Sequence, residues 1–295
     1  MDFIDVDDLT REELGAVLDR AAALKAGAGP AARPAPLSGA TLGMIFEKPS
    51  TRTRISFETG MTQLGGHAIF LGPDDIQLGH GEPIKDTARA VSRYVDFLMA
   101  RMFDHGDVVE LAEYATVPVI NGLTDDAHPC QTLADLLTIR ERFGFDASVA
   151  WVGDGNNVAQ SFILGAAMVG LDLTVATPEP YAVDEGVLDR AEKLGTAPET
   201  TRDPEAAIAA ADVVYTDVWV SMGQEDKRAE KLAAFEGFQI TAERLGDRAL
   251  MHCLPAHRGE EITDEALESE TALVWEQAEN RLHAQKGLLV WLRDQ

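Results

Sequence analysis

Residues 50–54 read Ser-Thr-Arg-Thr-Arg, directly after the apolar run 41–46 and directly before a helix-like stretch, 55–64. This order describes an anion socket: a strand ends, the chain turns, and a helix begins with hydroxyls and guanidiniums at its first turn. The first amides of a helix lack internal partners, and the helix dipole places partial positive charge there. A phosphate suits that place, with Ser50, Thr51 and Thr53 adding hydrogen bonds and Arg52 a bidentate cation. The plainer alternative is an ordinary Ser cap followed by two solvated arginines. Other polar groups also follow apolar runs. Arg101 comes after 95–100, and His128-Pro129-Cys130-Gln131 after 117–120, with His128 and Gln131 spaced to share one helical face. His252-Cys253-Leu254-Pro255 comes after 249–251.

The elements that must hold these groups alternate as parallel βα units do. Strands are expected at 41–46, 68–71, 95–100 and 117–120, with helices at 11–25, 55–64, 85–93, 107–114 and 132–142. The first helix opens on Thr10 and Glu13 at capping-box spacing, and 27–36 reads as a loop. A second series follows: strands 148–152, 173–176, 213–216 and 249–251, and helices 158–169, 185–194 and 204–210. The fold class is α/β, with two doubly wound parallel-sheet domains and an active site in the interdomain crevice, at the carboxyl ends of strands. The first domain covers 1–131, a linking helix 132–144 and the second domain 145–271. A final helical segment, 272–295, packs back on the first.

Composition narrows the partners. Fifty acidic against 25 basic residues leave a formal charge of −25 over 295 residues, which argues against nucleic acid. Only seven basic residues are lysines. So large an acidic surplus reads as adaptation to a salty cytoplasm, as in halophilic microbes, with a merely acidic mesophilic enzyme as the alternative. No apolar run is long enough to span a bilayer. The acidic N-terminus lacks the order of a secretory signal, so a cytoplasmic location is expected. Two distant cysteines, Cys130 and Cys253, make a disulfide framework improbable. The scattered histidines show no ligand spacing, and neither a metal nor a cofactor is expected.

Residues 46–58, Phe-Glu-Lys-Pro-Ser-Thr-Arg-Thr-Arg-Ile-Ser-Phe-Glu, resemble the carbamoyl phosphate motif of the aspartate and ornithine carbamoyltransferase superfamily. His128–Gln131 resembles its second motif. Asp217-Val218-Trp219-Val220-Ser221-Met222-Gly223 and His252-Cys253-Leu254-Pro255 resemble the ornithine branch. The likeness runs in order from about residue 5 to the C-terminus. It implies transfer of the carbamoyl group of carbamoyl phosphate to the δ-amine of L-ornithine, giving L-citrulline and phosphate, reversibly, in arginine metabolism. It also implies that Ser50, Thr51, Arg52 and Thr53 hold the phosphate, and that Arg101 and His128 point donors at the carbonyl oxygen where charge develops. Gln131 would accept from the carbamoyl amine, and Arg281 would approach the same ligand. Cys253 and Leu254 would complete the carbamoyl phosphate site. Cys253 counts with Arg101 and His128 among the catalytic positions, near the δ-amine but without covalent catalysis. Asn157, Asp217, Ser221 and Met222 would hold ornithine. Gln77 would reach a neighbouring subunit's site, which makes a homotrimer or a multiple of trimers the expected partner state.

Rival readings have specific weaknesses. Gly153-Asp154-Gly155-Asn156-Asn157-Val158 partly imitates a dinucleotide fingerprint. A dehydrogenase, however, would want a small residue at 158 and an acid at the end of the next strand, which here runs Ala176-Thr177-Pro178. An aspartate enzyme would typically carry Pro-Leu-Pro-Arg where this chain has Cys253-Leu254-Pro255-Ala256. Putrescine lacks the α-carboxylate that the 221–223 loop is expected to meet. A non-catalytic binding protein of the same fold would have no need of an intact carbamoyl phosphate set.

Overall fold

A computed structural model describes residues 1–27, 35–76 and 81–295. Most of the expected 27–36 loop falls outside the described residues, and so does Gln77. The chain divides into two compact units, Met1–Leu137 with Asn280–Gln295, and Thr138–Glu279.

The first unit contains α1 (Arg11–Ala26), β1 (Thr41–Phe46), α2 (Thr51–Gln63), β2 (His67–Leu71), α3 (Ile84–Val91), β3 (Phe97–Arg101), α4 (His105–Tyr114) and β4 (Val119–Leu123). The helix α5 (Pro129–Phe143) begins in it. Thr10 and Glu13 close a capping box at α1, each side chain bonding the other's amide, which satisfies two amides that the helix leaves open. The four strands are parallel, in the order β2-β1-β3-β4. Ile45, Leu98, Ala100, Met102, Val108, Leu111 and Val119 form a buried cluster, each larger side chain worth about 1.5–3 kcal/mol on burial.

Two strands sit later in the chain than their apolar runs suggest. Proline has no amide to donate, so pairing on β4 begins at Val119, with Pro118 contributing only its carbonyl to Leu98 N. At the far end the strand runs on through Asn121 and Gly122, which break the apolar pattern. Asn121 is buried because its side chain donates to Ile4 O at 2.9 Å. Similarly, α2 starts at Thr51, not at 55, because Ser50 caps it and the polar pentapeptide is itself the first turn.

The second unit holds β5 (Ser148–Val152), α6 (Asn157–Val169), β6 (Asp172–Ala176), α7 (Glu185–Leu194), β7 (Glu199–Thr201), α8 (Pro204–Ala210), β8 (Val213–Thr216), α9 (Arg228–Ala234), α10 (Ala242–Leu245), β9 (Ala249–His252) and α11 (Asp264–Leu267). Its sheet is also parallel, in the order β7-β6-β5-β8-β9. The edge strand β7 and the short helices α9–α11 carry no clear periodicity in the sequence. The last helix, α12 (Val274–Arg293), passes from this unit into the first. There Gly287 backs onto α1 so closely that an added Cβ would lie 2.7 Å from Val17 O. Only glycine permits that approach, and it fixes where the earlier turns of α12 fall.

In each sheet the chain reverses direction once. The reversals lie between β1 and β3 and between β5 and β8. Ligands of doubly wound sheets bind beyond the carboxyl ends of strands at such points.

Candidate active site

The first reversal gathers the residues expected to form an anion socket. Register pairs Phe46 with Arg101 and Arg101 with Leu123, so the loops after β1, β3 and β4 leave one edge side by side. Ser50 Oγ accepts from Thr53 N at 3.3 Å and donates to Thr53 Oγ1 at 3.0 Å. Arg281 on α12 donates to Thr53 Oγ1 at 2.7 Å and to Gln131 Oε1 at 2.8 Å, and Gln131 Nε2 donates to Asp135 Oδ1 at 2.8 Å. Thr53, Gln131, Asp135 and Arg281 are all buried. One guanidinium therefore ties the start of α2 to the start of α5. Arg52 is half-buried and has no hydrogen-bond or ion-pair partner among the described residues. By contrast, Arg54 is occupied, lying over the Phe70 ring at 3.9 Å and paired with Glu58 at 2.9 Å.

Arg101 and His128 are buried in the same unit. Burial first, then the positive charges of Arg281 and Arg101, hold His128 well below the usual histidine pKa. The ring is thus neutral at pH 7 and can offer an N–H without carrying charge. Cys130 is fully buried and donates to Asn121 O at 3.3 Å, and burial pushes its thiol up to about 12. It is an inert packing residue. Lys48 was visible in the motif but not singled out from sequence. It is 3% exposed, ion-paired with Asp125 and placed over the Phe103 ring at 4.5 Å. It thereby joins the loop that carries Ser50 to the loop that leads to His128.

The second reversal is built around a carboxylate. Asp217 follows β8 and is buried. Its Oδ2 accepts from Asn156 Nδ2 at 2.8 Å and its Oδ1 from Cys253 Sγ at 2.9 Å. Asn156 also caps α6, accepting from Val158 N and Ala159 N. The residue that orients Asp217 is thus Asn156, whereas Asn157 is the first helical residue. Beneath lies a buried ion pair between Lys231 and Asp154, absent from the sequence reading because its members are 77 positions apart. Burial raises the Asp154 pKa, Lys231 partly offsets this, and Asp217 adds to it. Ser221 is half-buried and Met222 is 47% exposed.

Gly155 packs onto the chain at Tyr181–Val183, where a Cβ would lie 2.7 Å from Val183 N. The close approach that a dinucleotide would need at this glycine is therefore taken by the protein's own backbone. Donor groups within 4.8 Å of one another occur at Asp217, His252 and Cys253 and at His257, Glu260 and Glu261. Several are already engaged: Asp217 as above, Glu260 with Arg228, and His252 with Glu261 at 3.1 Å.

Comparison with known proteins accounts for both units. The model of the aspartate/ornithine carbamoyltransferase carbamoyl-P binding domain matches residues 1–141, and that of the Asp/Orn binding domain matches residues 146–292. The chain belongs to the aspartate/ornithine carbamoyltransferase family. Among curated relatives it is 68% identical to the ornithine carbamoyltransferase of Haloquadratum walsbyi, over 98% of this chain and 97% of that protein. It is 51% identical to the anabolic ornithine carbamoyltransferase of Pyrococcus furiosus, over 98% of this chain and 95% of that protein. The solved structure of ornithine carbamoyltransferase from Pyrococcus furiosus superposes with a TM-score of 0.93 at 50% identity, covering 98% of this chain and 95% of that one.

Proposed function

We propose that this chain transfers the carbamoyl group of carbamoyl phosphate to the δ-amine of L-ornithine, releasing L-citrulline and phosphate. The observation that carries this reading is the buried cationic cradle at the start of α2, closed from 228 residues away by Arg281 on Thr53.

Carbamoyl phosphate binds with its phosphate on the open amides of α2, the hydroxyls of Ser50, Thr51 and Thr53, and Arg52. Arg281 braces Thr53 and adds positive charge. Gln131 Oε1 already accepts from Arg281 and keeps a second lone pair for the carbamoyl amine. Arg101 and neutral His128 donate to the carbonyl oxygen and stabilise the charge that grows there as the carbon becomes tetrahedral. Ornithine places its α-ammonium on Asp217, which Asn156 orients, with Asn157, Ser221 and Met222 completing the grip. Its δ-amine, near Cys253 and Leu254, must reach the carbonyl carbon as the free base. The amine's lone pair forms the new C–N bond, the C–O bond to phosphate breaks, and the departing phosphate takes the proton the amine loses. No covalent enzyme intermediate is needed, because positioning and charge stabilisation supply the rate.

A homotrimer or a multiple of trimers, with Gln77 reaching a neighbouring site, belongs to the same proposal. The exposed Ile55 and Ile69 on α2 and β2 offer apolar surface for such a contact. Cytoplasmic location is supported by two free cysteines, and function in high salt by the charge of −25. The decisive assay measures carbamoylated product from ornithine, aspartate and putrescine in parallel, at low and at molar salt. Citrulline formation from ornithine alone is expected; faster turnover of another amine would overturn the reading.

A further inference from the structure

We propose that His252 and Glu261 are positioning residues that set the shape of the Cys253–Leu254 turn and, through it, the rate of the transfer step. This rests on the proposed function, in which Cys253 and Leu254 lie against the reacting groups.

His252 is the last residue of β9 and, like Glu261, is buried. Its backbone amide is fixed by Gln277 Oε1 at 2.9 Å. Its Nδ1 accepts from Leu254 N at 2.9 Å, so the ring proton sits on Nε2, 3.1 Å from Glu261 Oε1. The same carboxylate oxygen accepts from His257 N at 2.6 Å, which pins both ends of the loop to one atom. Glu261 is itself held, because Ile240 N donates to its carbonyl at 2.8 Å and Thr263 N bonds back to Ile240 O.

The turn needs this support. Leu254 has φ 57°, a left-handed conformation that a non-glycine residue adopts only when its surroundings hold it there. With the proton on Nδ1 instead, two donors would face each other at Leu254 N and the turn would lose its one side-chain acceptor. Glu261 excludes that arrangement by demanding the proton at Nε2, as partners of functional imidazoles commonly do. The order of control runs from Glu261 to the His252 tautomer, to the Leu254 amide, and so to the Cys253 thiol on Asp217 Oδ1 and the carbonyls beside it.

Isosteric substitutions separate this role from simple packing. In His252→Asn the amide oxygen falls near the position of Nδ1 and still accepts from Leu254 N. In His252→Gln the amide reaches toward Glu261 and leaves Leu254 N without its acceptor. Both lose the ring, so similar falls in thermal midpoint are expected. Their kcat values should differ: His252→Asn within about 5-fold of the parent, as for one lost hydrogen bond, and His252→Gln down by about 100-fold, as for a misplaced reacting group. KM for ornithine should change little in either. Glu261→Gln keeps an acceptor oxygen and should follow His252→Asn, while Glu261→Leu should follow His252→Gln. Equal kcat in the Asn and Gln variants of His252, at matched stability, would overturn the proposal. Cys253→Ala and Leu254→Ala serve as the control: if both are kinetically silent, the site reading itself fails, whatever the His252 variants do.

Discussion

The two units solve opposite electrostatic problems with the same wiring. Each places its polar groups beyond the carboxyl ends of a parallel sheet, at the point where strand order reverses. In the first unit the candidate site side chains are cationic or neutral, namely Arg52, Arg101, Arg281 and a His128 kept from protonation by burial and its neighbours, while the acid Asp125 is paired with Lys48. In the second, an acid stands at the centre, with Asn156 and Cys253 as donors and the Asp154–Lys231 pair beneath. Topology decides where a ligand can sit, and the few side chains that follow each strand decide its charge. In the proposed function a phosphate dianion goes to one edge and an amino acid's ammonium group to the other.

That contrast can be broken at its strongest point first. Arg52→Ala should lower kcat/KM for carbamoyl phosphate by about 10³-fold, the order expected for removing a charged donor from a reacting anion. Isothermal titration with carbamoyl phosphate alone should show the same loss, and retained affinity would refute the cationic assignment of the first edge. Next, Lys231→Met should destabilise the protein by about 3–5 kcal/mol, because it leaves the Asp154 carboxylate buried without its partner. Urea unfolding at fixed salt measures this. The defect should shrink on acidification, since protonating Asp154 removes the stranded charge; a constant deficit across pH would contradict the pairing. Third, Asp217→Asn should raise KM for ornithine by about 100-fold while carbamoyl phosphate binding stays within about 2-fold. Equal effects on both ligands would erase the division of labour between the two edges.

The smallest expected effect concerns pH. The His128 pKa is lowered in the fold from 6.5, so the unfolded chain binds a proton there that the native ring refuses. Stability from this group is fully present above about pH 6.5 and declines as pH falls, by up to about 1.4 kcal/mol per pH unit. His128→Gln should flatten that part of the stability profile, measured by denaturant midpoints between pH 7 and 5. An unchanged slope would mean that the imidazole is not buried neutral.

Much of this was legible in the chain. Among the described residues, apolar runs bounded by turn residues marked eight of nine strands to within three residues, the widest miss being the end of β4, and polar, three-residue β7 escaped. The pentapeptide at 50–54 announced a helix start because capping is a local transaction between Ser50 and Thr53. Lys48 and Asp125, Lys231 and Asp154, and His252 with Glu261 were not legible as pairs. Each is a pairing across a turn or between elements, and spacing alone does not encode which loops emerge side by side. Asn156 and Asn157 are adjacent and chemically identical, so only the observed cap shows which of the two reaches Asp217.

By itself, the sequence determined the local terms: which segments become strands, where helices start, the acidic surface, and which residue types stand at the strand ends. These follow from hydrophobic period, backbone chemistry and charge, all of which act over a few residues. Tertiary structure alone decided that Arg281 closes on Thr53 and Gln131, that burial keeps His128 neutral, and that Glu261 holds the turn after β9. The reason is physical: desolvation and hydrogen-bond geometry depend on which distant groups share a buried volume, and that is settled when the sheets pack.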